Sequence, residues 1–172
     1  MRIALLGDTH FGVKNDSPNF HTLFEKFYTN AFFPYLKEHN IKHVIQLGDL
    51  FDKRRQICFN TLSECKRYFF KPLEEAGIEL YTIVGNHDIY YRQSLSVNSS
   101  SLVLGEFKNV HVFDKPTNVK FGNISVDFIP WICEENTTEV MQFICDSKSE
   151  ICCGHFEIEH FSMHKGMESQ SG

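Results

Sequence analysis

The stretch Tyr81–Tyr91, YTIVGNHDIYY, passes within a few residues from an apolar run to a polar cluster. Its first four residues have the composition of a buried β-strand. A glycine then leads into Asn86, His87 and Asp88, whose side chains can bind a metal ion or transfer a proton. The stretch therefore indicates a strand that ends at a functional site.

The same pattern, an apolar strand followed by glycine and then Asp, Asn or His, occurs at three other places. These are LLGDTH at 5–10, IQLGDLFD at 45–52 and CCGH at 152–155. A single ending of this kind is usually a helix cap or a turn. Four of them in one chain favour a shared site, because ligands of open α/β sheets bind at the carboxyl ends of the strands.

Predicted strands alternate with predicted helices along the chain, which indicates an α/β fold with helices packed on mostly parallel strands. The predicted strands are 2–6, 42–47, 79–84, 109–113, 118–121, 124–129 and 150–153. Helices are predicted over 21–39, from a capping box formed by Thr61 and Glu64 towards Gly77, and over 135–147. Pro34 and Pro72 should kink or shorten the first two helices.

Composition narrows the class of protein further. The chain has 172 residues, a net charge of −5 and 42% hydrophobic residues, which is typical of one soluble globular domain. No apolar run approaches the roughly 18 residues of a membrane helix, and the amino terminus turns polar too early for a signal peptide. Six cysteines without a CxxC pair predict buried, reduced thiols of a cytosolic protein.

The four strand ends would bring five potential ligands to one edge of a sheet. Asp8 and His10 are two residues apart, so in an extended segment they point to the same side. The full set is Asp8, His10, Asp49, Asn86 and His155. Carboxylate, amide oxygen and imidazole together predict a divalent-metal site, with room for two ions.

These motifs and their order resemble the calcineurin-like metallophosphoesterases. The matching motifs are D-x-H at 8–10, G-D-x-x-D at 48–52, G-N-H-D at 85–88 and G-H at 154–155. Flanking stretches such as GDLFDKRR and DFIPWICEENT are similar to the nuclease subunits of SbcD-type recombination and double-strand-break repair complexes, and most to their phage counterparts. The likeness extends from Met1 to about Gly166. It implies a β-sandwich flanked by helices, with the metal site at the C-terminal ends of strands.

The resemblance also implies a role for each potential ligand. Asp8 and His10 would bind one ion. Asn86 and His155 would bind the other, and Asp49 would bridge the two, since one carboxylate has two oxygens to share. The expected ions are Mn²⁺, with Mg²⁺ as the alternative.

Three further residues would serve catalysis. His87 would donate a proton to the leaving group, while Asp88 and Asp52 would orient an imidazole or a water. The implied activity is phosphodiester hydrolysis by a DNA exo/endonuclease subunit. Two alternatives stay open: another metallophosphoesterase, such as a phosphatase or a nucleotide hydrolase, and a catalytically incomplete scaffold.

Contacts to DNA would come from residues that follow the second and third motifs. Basic side chains there could hold phosphates, and aromatic ones could stack on bases. The candidates are Lys53, Arg54, Arg55, Tyr90, Tyr91 and Arg92. A solvated loop is the alternative for the basic residues, and core packing or a plain surface loop for the others.

The family carries a further G-H-x-H motif after G-H, and His160 and His164 do not stand in that context. We therefore expect residues 1–172 to be a metallophosphoesterase nuclease domain truncated before its last metal-binding motif, and to be inactive or weakly active by themselves. The implied partners are DNA, an SMC-like ATPase subunit bound through regions absent here, and a second copy in a homodimer. No membrane partner is implied, and the expected location is the cytoplasm, that of the host if the chain is phage-encoded.

Overall fold

A computed structural model describes residues 1–158, 162–164 and 167–168, and its strands form two larger sheets and one short hairpin. The first sheet is wholly parallel, in the order β1-β2-β3-β4, with strands Ala4–Leu6 (β1), His43–Gln46 (β2), Glu79–Ile83 (β3) and Val110–Phe113 (β4). The second contains Thr117–Phe121 (β5), antiparallel to Ile124–Ile129 (β6), and Ile151–Gly154 (β7), parallel to β6. Ser162–His164 (β8) and Met167–Glu168 (β9) form the hairpin.

Within the described residues, six α-helical segments connect the strands. They are Pro18–Phe27 (α1), Phe33–Glu38 (α2), Phe59–Cys65 (α3), Lys71–Glu75 (α4), Ser99–Val103 (α5) and Thr137–Asp146 (α6). Wide π-helical turns, Tyr28–Phe32 and Lys66–Phe70, join α1 to α2 and α3 to α4. Pro34 and Pro72 follow these turns directly. A proline ring collides with the carbonyl one turn earlier, and a local π turn relieves that conflict while the helix continues, in place of the predicted kinks.

The two larger sheets pack face to face around one apolar core. Ile45 and Ile83 from the first sheet meet Phe128 from the second in this core. A second core lies between the first sheet and the helices, and it is rich in aromatic rings such as Phe11 and Phe69, whose centroids are 5.5 Å apart. The predicted β-sandwich with flanking helices is confirmed.

The predicted capping box is wrong. Helix α3 begins at Phe59, so Thr61 lies inside the helix rather than at its start. The buried Thr61 hydroxyl donates to the Asp16 carboxylate at 2.6 Å, while Glu64 pairs with Arg67. The Thr61 hydroxyl thus bonds to a residue distant in the sequence, whereas the local pattern predicted that it would cap the helix.

Asp16 is the last residue of a short left-handed turn. In Val13–Asp16, the residues Lys14, Asn15 and Asp16 have φ of 55°, 58° and 60°, a conformation that costs roughly 1–2 kcal/mol per residue. Hydrogen bonds to the Asp16 carboxylate from Thr61 and from His21, both at 2.6 Å, hold the turn closed. Burial raises the pKa of Asp16, but these hydrogen bonds outweigh it and the net pKa lies below the usual value.

Two predictions from composition concern membranes and thiols. Within the described part of the chain, no helix is both long enough and apolar enough to span a bilayer. All six cysteines are free thiols, of which Cys65, Cys133 and Cys153 are buried and the other three are exposed. The expectation of buried thiols therefore holds for half of them.

Candidate metal centre

The polar strand ends meet at one edge of the sandwich, around the buried carboxylate of Asp49. Nε2 of His10 lies 3.7 Å from Asp49 Oδ2, and Nε2 of His155 lies 3.6 Å from the same oxygen. Asp8 is more exposed, with Oδ2 at 4.0 Å from His10 Nε2. The structure thus brings together residues that are far apart in the sequence.

The backbone before Asp49 is held in a left-handed conformation. Gly48 has φ of 94° and Asp49 has φ of 51°. The buried side chain of Gln46 fixes this bend by accepting from the Gly48 amide at 3.1 Å and donating to the Gly48 carbonyl at 2.5 Å. A Cβ at Gly48 would lie 2.7 Å from Nδ1 of His155, so glycine is required here for space as well as for φ.

The loop that carries His10 pairs with the loop that carries Asp49. The His10 amide donates to the Asp49 carbonyl at 3.0 Å, and the Phe11 amide donates to the Leu50 carbonyl at 2.9 Å. His10 itself has φ of 44°, which is uncommon for a residue with a side chain. Strained conformations at functional sites persist when the surroundings impose them, as these paired loops do.

The tautomer of His155 follows from its neighbour. Nδ1 of His155 lies 2.8 Å from the carbonyl oxygen of Leu47, so Nδ1 carries the proton and donates it there. In the neutral ring Nε2 then holds a lone pair, which points at Asn86 Oδ1, 3.0 Å away. The side-chain end of Asn86, Nε2 of His155 and Oδ2 of Asp49, which lies 3.6 Å from Nε2, have about the spacing of ligands around one small cation. Asn86, His155 and Asp49 therefore fit a divalent ion.

Without an ion, the hydrogen-bonding groups around the Asn86 amide are satisfied when its nitrogen faces the cluster. The nitrogen then donates to Nε2 of His155 and to Oδ2 of Asp49, both at 3.0 Å, and the oxygen accepts from Nη2 of Arg54 at 3.2 Å. This orientation suits a site without an ion, because a donor replaces the cation. The oxygen-inward orientation suits a site with one.

Two groups of side chains have the spacing of a metal site, and Asp49 belongs to both. One group is His10, Asp49 and His87, and the other is Asp8, Asp49 and His155, each with ligand atoms within 4.8 Å of one another. Ligand atoms around a small divalent ion lie roughly 3–3.5 Å apart, so a modest contraction would suffice. The grouping places Asp8 with His155 and adds His87 to the possible ligands; the assignment of ligands to each ion stays a prediction.

His87 lies beside the cluster in a fixed orientation. Its Nδ1 donates to the carbonyl of Asp52 at 2.7 Å, which leaves Nε2 as the atom that can exchange a proton. Its backbone amide donates to Oδ1 of Asp49 at 2.7 Å. Its ring meets the ring of His10 edge-on at 5.0 Å. The backbone carbonyl of Asp52 thus orients the His87 imidazole, and the role of the Asp52 carboxylate stays a prediction.

The predicted role of Asp88 has to be corrected. Its fully buried carboxylate accepts from the backbone amides of Gly85 at 2.9 Å, Leu50 at 3.1 Å and Phe51 at 3.3 Å, rather than orienting an imidazole or a water. Burial raises the pKa of Asp88 to about 6, even though the amide donors act in the opposite direction. Asp88 is therefore a positioning residue that ties the loop after β3 to the loop after β2.

The candidate DNA contacts lie on one flank of the cluster. Nζ of Lys53 donates to the side-chain oxygen of Asn15 at 2.9 Å. Arg54 reaches Asn86 as described above, and the guanidinium of Arg55 lies over the Tyr90 ring at 5.5 Å. Tyr90, Tyr91 and Arg92 are exposed, so core packing does not occupy them. Their role in binding DNA stays a prediction.

Two aromatic residues near the cluster escaped the sequence analysis. The Trp131 ring centroid lies 5.9 Å from that of His155, and Phe156 follows His155 directly. The stretch Pro130-Trp131 after a buried strand was the available signal, since a tryptophan just beyond a strand end lies near the site edge. His160 and the side chain of His164, the downstream histidines, lie outside the described residues.

Comparison with known proteins identifies the family of the chain. Residues 1–170 match the calcineurin-like phosphoesterase family, and the chain belongs to that family. Over 169 residues it is 42% identical to exonuclease subunit 1 of Enterobacteria phage T4, a match that covers 98% of this chain and 49% of that protein. The chain thus spans about half the length of this curated relative.

Two solved structures are similar at low sequence identity. Nuclease MPE of Pseudomonas putida has 21% identity and a TM-score of 0.46, over 76% of this chain and 54% of that one. A protein of unknown function from Aquifex aeolicus has 13% identity and a TM-score of 0.45, over 84% of this chain and 70% of that one.

Proposed function

We propose that this chain is the phosphoesterase domain, spanning 1–172, of a metal-dependent DNA exo/endonuclease subunit. The observation that carries the proposal is the position of Asp49, whose carboxylate belongs to two groups of potential ligands at once. A shared carboxylate is the arrangement that a two-metal phosphodiesterase needs. The similarity to a phage exonuclease subunit supports DNA as the substrate.

Five residues would hold the metal ions, and His87 would transfer a proton. Asp8, His10, Asp49, Asn86 and His155 would hold two ions, Mn²⁺ in our proposal, with mixed oxygen and nitrogen ligands that suit it. Bound ions would activate water and stabilise charge on the phosphate. His87 would supply a proton from Nε2 to the departing oxygen, because Asp52 keeps Nδ1 occupied.

The phosphate backbone would be held by the basic residues beside the cluster. Nζ of Lys53 donates to Asn15, and Arg54 and Arg55 follow Lys53 in the same loop. Phosphate contacts of this kind position a strand without reading its sequence. The net charge of −5 means that this local patch, rather than the whole surface, would attract DNA.

The relative is named as a subunit, which supports an assembly for this chain as well. We propose an SMC-like ATPase subunit as the partner, a second copy of the chain as another, and recombination and repair of DNA in the host cytoplasm as the setting.

The test compares substrate classes at fixed metal concentration. A longer chain, of the length of the phage relative, should degrade linear duplex DNA and hydrolyse a phosphodiester such as bis-p-nitrophenyl phosphate in Mn²⁺, and a chelator should abolish both activities. Residues 1–172 alone should show little or no activity. In the longer chain Asp49→Asn should lose both activities, while Asp114→Asn, at an exposed aspartate, should keep them. Hydrolysis of phosphomonoesters alone would contradict the proposal and favour a phosphatase.

A further inference from the structure

An apolar groove that is lined in part by His155 opens beside the metal centre. Its volume is about 490 Å³, within the range of about 300–1,000 Å³ for small-molecule sites. The residues that line it include Trp131, Glu134, Thr137, Met141, His155 and Phe156. His155 lines the groove and also belongs to the metal cluster. A ligand in the groove would therefore lie next to a ligand at the cluster.

The two aromatic walls are held in place by the backbone. The Trp131 amide donates to the Val84 carbonyl at 2.8 Å, and its carbonyl accepts from Asn136 at 3.0 Å. The Phe156 ring lies directly against Gly154, where a Cβ would collide with it. Phe156 nevertheless keeps 41% of its surface exposed. The groove therefore presents fixed, open aromatic surface.

The basic loop and the groove, both beside the metal centre, differ in charge. The flank with Lys53, Arg54 and Arg55 is cationic and suits phosphates. The described residues that line the groove include no lysine or arginine, and Glu134 contributes a carboxylate at its rim. A phosphate would be repelled there, whereas a flat, uncharged ring could enter.

We propose that the groove between Trp131 and Phe156 binds the nucleobase of the nucleotide whose phosphate lies at the metal centre. This inference rests on the proposed function. Stacking on aromatic side chains tolerates any base, because every base has a π-face. Glu134 and Thr137 at the rim could accept hydrogen bonds from amino groups of the base. The groove would thus orient the terminal nucleotide without selecting a sequence.

The chain itself provides the reporter, because Trp131 is its single tryptophan. We would titrate the chain, in Mg²⁺, with deoxyadenosine monophosphate, deoxyadenosine and deoxyribose 5-phosphate while recording tryptophan fluorescence. The two compounds that contain the base should quench saturably, and the monophosphate should bind more tightly than the nucleoside. Deoxyribose 5-phosphate should bind, as measured by calorimetry, without comparable quenching.

Substitutions at Phe156 test whether the base-containing compounds bind in the groove. Phe156→Ala should weaken binding of the monophosphate about tenfold, in line with stacking energies, and leave deoxyribose 5-phosphate unchanged. Phe156→Leu, which keeps apolar volume without a flat ring, should also weaken it. Phe27→Ala, at a phenylalanine 47% exposed on α1, is the matched control and should bind as the unaltered chain does.

The outcomes separate this inference from the proposed function. Equal affinity for the monophosphate and deoxyribose 5-phosphate, with no effect of Phe156→Ala, would overturn the base site and leave the phosphoesterase function intact. Phe156-dependent quenching by deoxyadenosine, with no contribution from phosphate or Mg²⁺, would support the base site and count against the proposed function. Absence of quenching by both base-containing compounds would overturn the base site.

Discussion

The carboxylate of Asp88 accepts a hydrogen bond from the backbone amide of Leu50 at 3.1 Å, and thereby fixes one metal-site loop from another. The same carboxylate accepts from Gly85 in its own loop at 2.9 Å. Asp49 adjoins Leu50 and Asn86 adjoins Gly85 in the sequence, so the relative positions of these two potential ligands depend on Asp88. A side chain that touches no substrate therefore sets the geometry of the site.

Asp88→Asn should destabilise both the fold and the site. The amide would keep one acceptor oxygen but turn its NH₂ group towards backbone N–H donors. We expect the free energy of unfolding to fall by about 1–3 kcal/mol, and the affinity for Mn²⁺ to fall with it. Denaturant unfolding and calorimetry would measure the two effects. Asp114→Asn, at an exposed position, is the control, and equal behaviour of the two variants would contradict this role.

Asp49→Asn should lower the affinity for both ions together. The substitution removes the charge that both groups of potential ligands share. Calorimetric titration with Mn²⁺ should show two weakened sites rather than one. Normal binding of one ion in this variant would show that Asp49 does not bridge.

In a longer, active chain, His87→Ala should reduce the rate of phosphodiester hydrolysis on the order of 10²–10⁴-fold without loss of metal. The backbone amide that holds Asp49 is retained in alanine, so the cluster should keep its shape. Metal content by elemental analysis, measured beside the rate, checks this. Loss of one ion would instead make His87 a ligand, which its grouping with His10 and Asp49 would then explain.

Arg54→Ala and Arg55→Ala should weaken DNA binding irrespective of base sequence. Each phosphate contact removed should reduce the slope of log affinity against log salt by about one, because fewer counterions are released. Binding to duplexes of unrelated sequence over a range of salt would measure this slope. Lys108→Ala, an exposed charge on the loop before β4, should leave it unchanged. Unaltered slopes for both arginine variants would contradict phosphate contacts and favour the alternative that these residues belong to a solvated loop.

Asp16→Asn should remove stability in a way that depends on pH. Burial raises the pKa of Asp16, yet hydrogen bonds from Thr61 and His21 outweigh it, so the folded pKa lies below the unfolded one. The ionised carboxylate therefore stabilises the fold above about pH 4, and this stabilisation is lost as the pH falls through the folded pKa. The difference in unfolding free energy between the two proteins should be present at about pH 5 and shrink below about pH 4. A difference independent of pH would contradict this.

Local patterns in the sequence were sufficient for the strands and for the gathering of the polar strand ends. The strand β6 has the bounds predicted for it, and most others differ by one or two residues at an end. Strand ends of a parallel sheet lie on one edge, so a repeated Gly-polar ending could be read as one site before any contact was known.

Contacts between distant segments could not be predicted in this way. Thr61 carries a capping pattern, but its hydroxyl bonds to Asp16, which is 45 residues away in the sequence. The left-handed turn at Lys14–Asp16 contains no glycine, and although Asn and Asp adopt this conformation as single residues, nothing in the pattern indicated three such residues in a row. The partners of Asp88 are backbone amides, which every residue but proline offers, and only the fold decides which of them come near.

The position of His155 against Leu47 has a consequence for the lifetime of the protein. These residues are 108 apart in the sequence, and an unfolded chain does not bring them together. Ions that bind the assembled site bind only the native state, and by thermodynamic linkage they stabilise it. At a hundredfold excess over the dissociation constant the gain is about 2.7 kcal/mol for each ion. The supply of divalent cations would thus govern not only turnover but also how long the folded chain resists proteolysis.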